Sequence, residues 1–184
     1  MQSVELICHP TTPCEVIHRF EVRVSRAGGK LSLRYSIEGN IARLCIPLPS
    51  SSRRADGLWR HTCFEAFLNG SGSAGYCEFN FAPSTEWAIY RFEVYREGMA
   101  AVENVEPPKI ALYRDAHRLE LDALIDLNHL PPLPEVAELR LGLCAVIEEE
   151  GGRLTYWALV HPQEKPDFHH PDSFALLLDR DGKA

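Results

Sequence analysis

Residues 58–82 read LWRHTCFEAFLNGSGSAGYCEFNFA, and this stretch decides the fold class. Side chains on a strand point alternately to its two faces. Over Leu58 to Leu68 this places Phe64, Ala66 and Leu68 on one side and Trp59, His61, Cys63 and Glu65 on the other. Asn69 to Gly75 is a run of small turn-forming residues between two such segments, which reads as a hairpin loop. Tyr76 to Ala82 returns, with Cys77, Phe79 and Phe81 on one face and Tyr76, Glu78 and Asn80 on the other. Pro83-Ser84-Thr85-Glu86 turns the chain again, and Trp87 to Arg96 is a third strand.

The same period extends outward in both directions. Val16, His18, Phe20, Val22 and Val24 alternate with Ile17, Arg19, Glu21 and Arg23. Gly28-Gly29 turns into Leu31, Leu33, Tyr35 and Ile37, and Ile41 to Leu48 is expected as a further strand. Later, Leu119, Leu121, Ala123, Ile125 and Leu127 form one set, and Leu139, Leu141, Leu143, Ala145 and Ile147 another, with a proline-rich bend at Pro131, Pro132 and Pro134 between them. Leu154 to Val160 and Ser173 to Leu178 close the series. Ala123 to Leu130 and Glu135 to Leu141 fit either short helices or strands. About ten strands at short spacing predict an all-β chain, a jelly-roll-like antiparallel β-sandwich forming one domain over 1–184.

Composition narrows the function classes. Apolar residues make up 45% of the 184, enough for a sizeable core. The formal charge is −7, and the densest basic run, Arg53-Arg54, is followed two residues on by Asp56. A nucleic-acid or anionic-membrane partner needs a clustered basic surface, so neither is expected. The first twenty residues contain Glu5, Pro10, Pro13 and Glu15 and no basic start running into an apolar stretch. That pattern predicts no signal peptide and a cytoplasmic protein. The six cysteines show no CxxC spacing and lie mostly in strand-like runs, which predicts reduced thiols.

Candidate chemistry gathers on the face opposite Phe64 and Phe79. Alternation over the three strands from Leu58 to Arg96 assigns to it Trp59, His61, Glu65, Tyr76, Glu78, Asn80, Trp87 and Arg91, with Tyr90, Phe92 and Val94 in the core layer. Indoles stack on the apolar faces of flat or sugar rings; carboxylate, amide and guanidinium groups bond hydroxyls. The bland alternative is that this face packs under a loop, with its charges paired. Glu65 and Glu78 could also form the two-carboxyl pair of a glycoside hydrolase. His161, His169 and His170 share a loop with Asp167 and Asp172, but their spacing does not match a zinc site. Met99 and His61 are available as haem ligands, but no CxxCH occurs. Cys63 stands two residues from His61 but beside Glu65, a poor setting for a thiolate nucleophile. No catalytic residue, metal or cofactor is therefore assigned.

Three blocks carry a family resemblance: Asp56 to Glu65, Tyr76 to Ser84, and Trp87 to Phe92. Together they resemble the DOMON-like superfamily, which is related to the family 9 carbohydrate-binding modules. Tyr156-Trp157-Ala158-Leu159 and Lys165-Pro166-Asp167-Phe168-His169 resemble the C-terminal part of the same bacterial proteins. The resemblance implies a sandwich that binds a sugar or a haem and has no enzymatic activity of its own. It implies Trp59 and Trp87 as the pair that would hold a sugar ring. Three readings stand open: a non-catalytic module for a carbohydrate or other polar ring, a hydrolase using Glu65 and Glu78, and an interaction module with an aromatic docking face.

Overall fold

A computed structural model describes residues 1–130 and 138–178. The strands in chain order are β1 (Gln2–Glu5), β2 (Ile7–Cys8), β3 (Ile17–Ala27), β4 (Lys30–Gly39), β5 (Cys63–Gly70), β6 (Tyr76–Phe81), β7 (Trp87–Phe92), β8 (Ala100–Ala101), β9 (Lys109–Arg114), β10 (Arg118–Asp126), β11 (Leu139–Glu148), β12 (Leu154–Ala158) and β13 (Leu176–Leu178). The helical segments among the described residues are single 3-10 turns. The chain is all-β, as its alternation predicts.

Two antiparallel sheets form. One has the order β1-β3-β4-β10-β9, and the other β2-β12-β11-β5-β6-β7-β8 with β13 also paired to β11. Their facing sides bury one continuous core. Phe20, Val22, Leu31, Leu33, Tyr35, Leu119 and Leu121 come from the first sheet, and Phe64, Ala66, Phe79, Phe81, Leu141 and Leu143 from the second. Inward apolar residues alternate with outward polar ones in the first sheet, as a sandwich with one wet face requires. The register of β3 shifts between Ile17 and Arg19, a bulge that leaves His18 exposed although simple parity grouped it with Phe20.

Several boundaries differ from the expectation. Ile41–Arg43 is a 3-10 turn rather than the start of a strand. The segment expected as a strand from Leu58 begins with another 3-10 turn, Leu58–Arg60, entered through Gly57 at φ +74°, and β5 starts only at Cys63. Ala123 to Asp126 continues β10, and a 3-10 turn follows over Leu127–His129. The Pro131–Pro134 bend and most of the Glu135–Leu141 alternative lie outside the described residues.

The second sheet is buried on both sides, and this feature builds the site. All residues of β5 and β6 are buried. The outer side carries its own cluster of Phe67, Tyr76, Tyr90, Phe92, Cys144, Val146, Phe168 and Phe174. The last two belong to the segment 159–175, which crosses over the sheet. All six cysteines are free thiols.

Candidate ligand-binding pocket

Register decides which side chains reach the outer face. Glu65 pairs with Asn80, Phe67 with Glu78, and Asn69 with Tyr76, so these residues share a face. Across the next hairpin Glu78 pairs with Tyr90, Tyr76 with Phe92, and Phe81 with Trp87. The outer face of β7 is therefore Tyr90 and Phe92, while Trp87 and Ile89 enter the inner core. This inverts the sequence assignment of that one strand. Trp87 is buried against Phe81 and cannot act as a second ring platform. Arg91 pairs with Cys77 and Ala100, on the inner parity of β7, and is exposed to solvent.

The 3-10 turn lifts Trp59 off the sheet and stands it edge-on to Tyr90, with ring centroids 6.1 Å apart at 76°. Tyr90 is itself held by a 2.5 Å hydrogen bond to Asp56, which Arg54 bonds at 2.8 Å. Trp59 stays 38% exposed, available from solvent. His61 turns the other way and bonds Glu148 at 2.8 Å, away from the pocket and from Cys63. Cys63 is buried, pointing its thiol at Asn80 Oδ1.

The segment 159–175 forms the opposite wall. Asp167 fastens it: the carboxylate accepts from Tyr95 Oη at 2.5 Å, from Arg96 Nη2 at 2.7 Å and from the His169 backbone N–H at 3.1 Å. Phe174 then stacks on Phe67, and the His169 ring meets the edges of Phe67 and Phe92. The bland reading of this face is thus half realised, because one part lies under a loop and packs as a second core. The remainder is a concave pocket of about 370 Å³ lined by Trp59, Tyr90, Phe92, Arg96, Met99, Tyr156, Phe168 and His169, with Glu65 and Glu78 at its floor.

A relay of polar groups runs along the floor. The Arg96 backbone N–H donates to Tyr76 Oη at 3.2 Å, and that hydroxyl lies 2.8 Å from His169 Nδ1. On the other side of the ring, His169 Nε2 faces Glu78 Oε2, 3.8 Å away. Asn80 donates to Glu78 Oε1 at 2.7 Å. Burial holds His169 down at about 4, with the Arg96 charge adding to the effect, so the ring is neutral near pH 7. Burial pushes Glu65 well above the usual carboxylate range, and the Glu78 carboxyl adds to it. Glu78 is raised too, by burial, against the opposing Asn80 amide and Arg96 charge. Glu65 Oε1 is buried with no hydrogen-bond partner among the described residues. Its backbone is pinned from below, where Tyr35 crosses the core to donate to Glu65 C=O at 2.8 Å.

Of the residues assigned from the sequence, the fold brings Trp59, Glu65 and Glu78 into the pocket and puts Tyr76 and Asn80 directly behind it, while His61, Trp87 and Arg91 lie elsewhere. Tyr90, Phe92, Arg96, Tyr156 and Phe168 were not assigned. Register across the Ala82–Glu86 turn, which pairs Phe81 with Trp87, is the signal that would have found the first two. Met99 and His169 both line the pocket, yet they do not fit a haem. Both imidazole nitrogens of His169 face Tyr76 and Glu78, and the floor is a pair of carboxyls. Among the described residues no group of three or more His, Cys, Asp or Glu side chains could hold a metal ion.

No protein-family model matches the chain, and no curated protein matches it in sequence. Solved structures do match. A protein from Bacteroides uniformis, provisionally assigned to carbohydrate binding, superposes with a TM-score of 0.68 at 14% identity, covering 94% of this chain and 83% of that one. A family 9 carbohydrate-binding module from Caldicellulosiruptor kristjanssonii, solved in complex with glucose, superposes with a TM-score of 0.56 at 10% identity, covering 98% and 86%. At these identities the likeness establishes the β-sandwich fold.

Proposed function

We propose that this chain is a carbohydrate-binding module whose ligand, a mono- or disaccharide or a similar polar ring, enters the pocket between Trp59 and the 159–175 segment. The carrying observation is the floor: Glu65 lines the pocket, and its Oε1 is buried with no hydrogen-bond partner among the described residues. A buried carboxyl oxygen left unpaired costs about 1–3 kcal/mol, and a ligand hydroxyl would remove that cost. Trp59, Tyr90 and Phe168 offer apolar ring faces, and the Glu65–Glu78 pair offers donors and acceptors. A volume of about 370 Å³ suits a small ring rather than a long chain or a macromolecule. The glucose-bound family 9 module with the same fold supports this reading, as does the resemblance of the three sequence blocks to the DOMON-like superfamily.

A thermal-shift panel of neutral monosaccharides, disaccharides, nucleosides and haem tests it. A ligand that binds only the native state raises the melting temperature. Sugars should raise it in the native protein and not in the Trp59→Ala variant. Shifts from nucleosides or haem alone would overturn the reading. The concavity of the face disfavours the protein-docking alternative. Hydrolysis by the same two carboxyls is the second reading, favoured by their diagonal placement on β5 and β6 at the pocket floor. Release of the aryl group from aryl glycosides, lost in Glu65→Gln, would establish it.

A further inference from the structure

The pocket is acidic at its floor and aromatic in its walls. Glu65 and Glu78 stand on neighbouring strands one diagonal apart, since Glu65 pairs with Asn80 and Glu78 with Phe67. Diagonal positions on adjacent strands lie roughly 7–8 Å apart, a gap that one small cation bridges. The carboxyls carry unused acceptor capacity. Glu65 is 3% exposed with Oε1 unpartnered, and Glu78 Oε2 is 3.8 Å from His169 Nε2, beyond hydrogen-bond reach. The guanidinium at the site, Arg96, gives its side-chain bond to Asp167 rather than to either glutamate. The rings of Trp59, Tyr90, Phe92 and Phe168 line the same pocket, and the face of an aromatic ring attracts a cation.

We propose that the ligand of this pocket carries a protonated amine, seated between Glu65 and Glu78 and enclosed by these rings. The inference rests on the pocket being a carbohydrate site, and there it names an amino sugar with a free ammonium group. A neutral sugar satisfies Glu65 Oε1 but leaves the carboxyls sharing an uncompensated burial; an ammonium compensates both with its charge and up to three N–H donors.

The two readings differ in protons. Burial raises both glutamates, and an ammonium between them lowers both, so the amine enters as protons leave. The other groups facing the pair are silent near pH 6. Burial raises Cys63 on β5, Cys144 on β11, Tyr76 on β6 and Tyr90 on β7, so they stay protonated. Burial keeps His169 neutral at that pH. Tyr95 and Arg96 hold Asp167 ionised despite its burial, and the Tyr90 hydroxyl holds Asp56 ionised.

The test is titration calorimetry at pH 6 with glucosamine, glucose, N-acetylglucosamine and cyclohexylamine, in two buffers of different ionisation enthalpy. A sugar ammonium, like an α-amino group, is still largely protonated there. Glucosamine should bind at least tenfold tighter than glucose and N-acetylglucosamine, with proton release that neither neutral sugar shows. In Glu65→Gln/Glu78→Gln the advantage should shrink below twofold. If that variant does not fold, the comparison with N-acetylglucosamine, the same ring without the charge, decides. Glucose binding as tightly as glucosamine overturns the amine and leaves the carbohydrate reading standing. An advantage surviving in the double variant overturns the seat. Binding of cyclohexylamine and of no sugar keeps the ammonium site and overturns the carbohydrate reading. Binding of none of the four overturns both.

Discussion

Asn80 donates its side-chain amide to Glu78 Oε1 at 2.7 Å beneath the pocket, where both residues are almost fully buried. The bond holds one oxygen of Glu78 and leaves the other turned toward His169. Asn80→Ala removes the donor without letting water replace it. The expected loss of folding stability is about 1–3 kcal/mol, read by denaturant titration. A loss under about 0.5 kcal/mol would mean that the carboxyl reaches water by another route.

The two tryptophans nearest this face separate structure from binding. Trp87 is packed in the inner core, so Trp87→Ala should cost on the order of 3–5 kcal/mol. Trp59 is 38% exposed on a 3-10 turn, and Trp59→Ala should cost under about 1 kcal/mol while abolishing ligand-induced stabilisation. Thermal melts with and without ligand check both. The opposite pattern would exchange the roles of the two residues.

Stability should fall on both sides of a mildly acidic optimum because the floor groups shift in opposite directions. His169 is depressed from its ordinary 6.5 to about 4, so the unfolded chain binds the extra proton between these values. Its contribution is present above 6.5 and lost as pH drops to about 4. Glu65 is raised above its ordinary 4.5, so its contribution is present below 4.5 and lost as pH rises through its folded value. Glu65→Gln should flatten the alkaline-side decline, and His169→Gln the acid-side decline, in denaturant titrations from pH 4 to 8. An alkaline decline unchanged in Glu65→Gln would contradict the buried, proton-holding carboxyl.

Gly142 on β11 lies directly beneath Ser173 and Phe174 of the segment 159–175. A Cβ there would fall 2.8 Å from Phe174 Cδ1 and 3.2 Å from Ser173 C=O. Gly142→Ala should therefore push Phe174 off Phe67, destabilising the fold by about 1–3 kcal/mol. Proteolytic cleavage within 159–175 should rise in the variant. Unchanged protection would mean that the ring shifts without loosening the segment.

The long strands of the first sheet were legible because period two survives wherever one face of a strand is wet, whereas β1, β2, β8 and β9 were not read from the sequence. Phe20 to Val24 and Leu31 to Ile37 read correctly for that reason. On β5 and β6, buried on both faces, alternation still placed Glu65, Glu78 and Asn80 together, because the charged residues marked the outer side. On β7 both faces are aromatic, Trp87 on one and Tyr90 with Phe92 on the other, so parity had nothing to orient it and came out inverted. The wall from 159–175 was out of reach altogether. Phe168 and His169 are brought to the sheet by the Asp167 bonds to Tyr95 and Arg96, a contact between segments some seventy residues apart that no local pattern encodes.

The most direct test of the pocket as the ligand site uses the three indole N–H signals in a ¹H–¹⁵N spectrum. Trp87 and Trp157 are both buried in the inner core, and Trp59 stands at the pocket mouth. On titration with a bound sugar, the Trp59 indole signal should move together with the backbone amides of Glu78, Arg96 and His169, while the Trp87 and Trp157 indoles stay in place. A Trp59 signal that stays fixed while residues away from the pocket shift, or a spectrum that no sugar alters, would contradict the account.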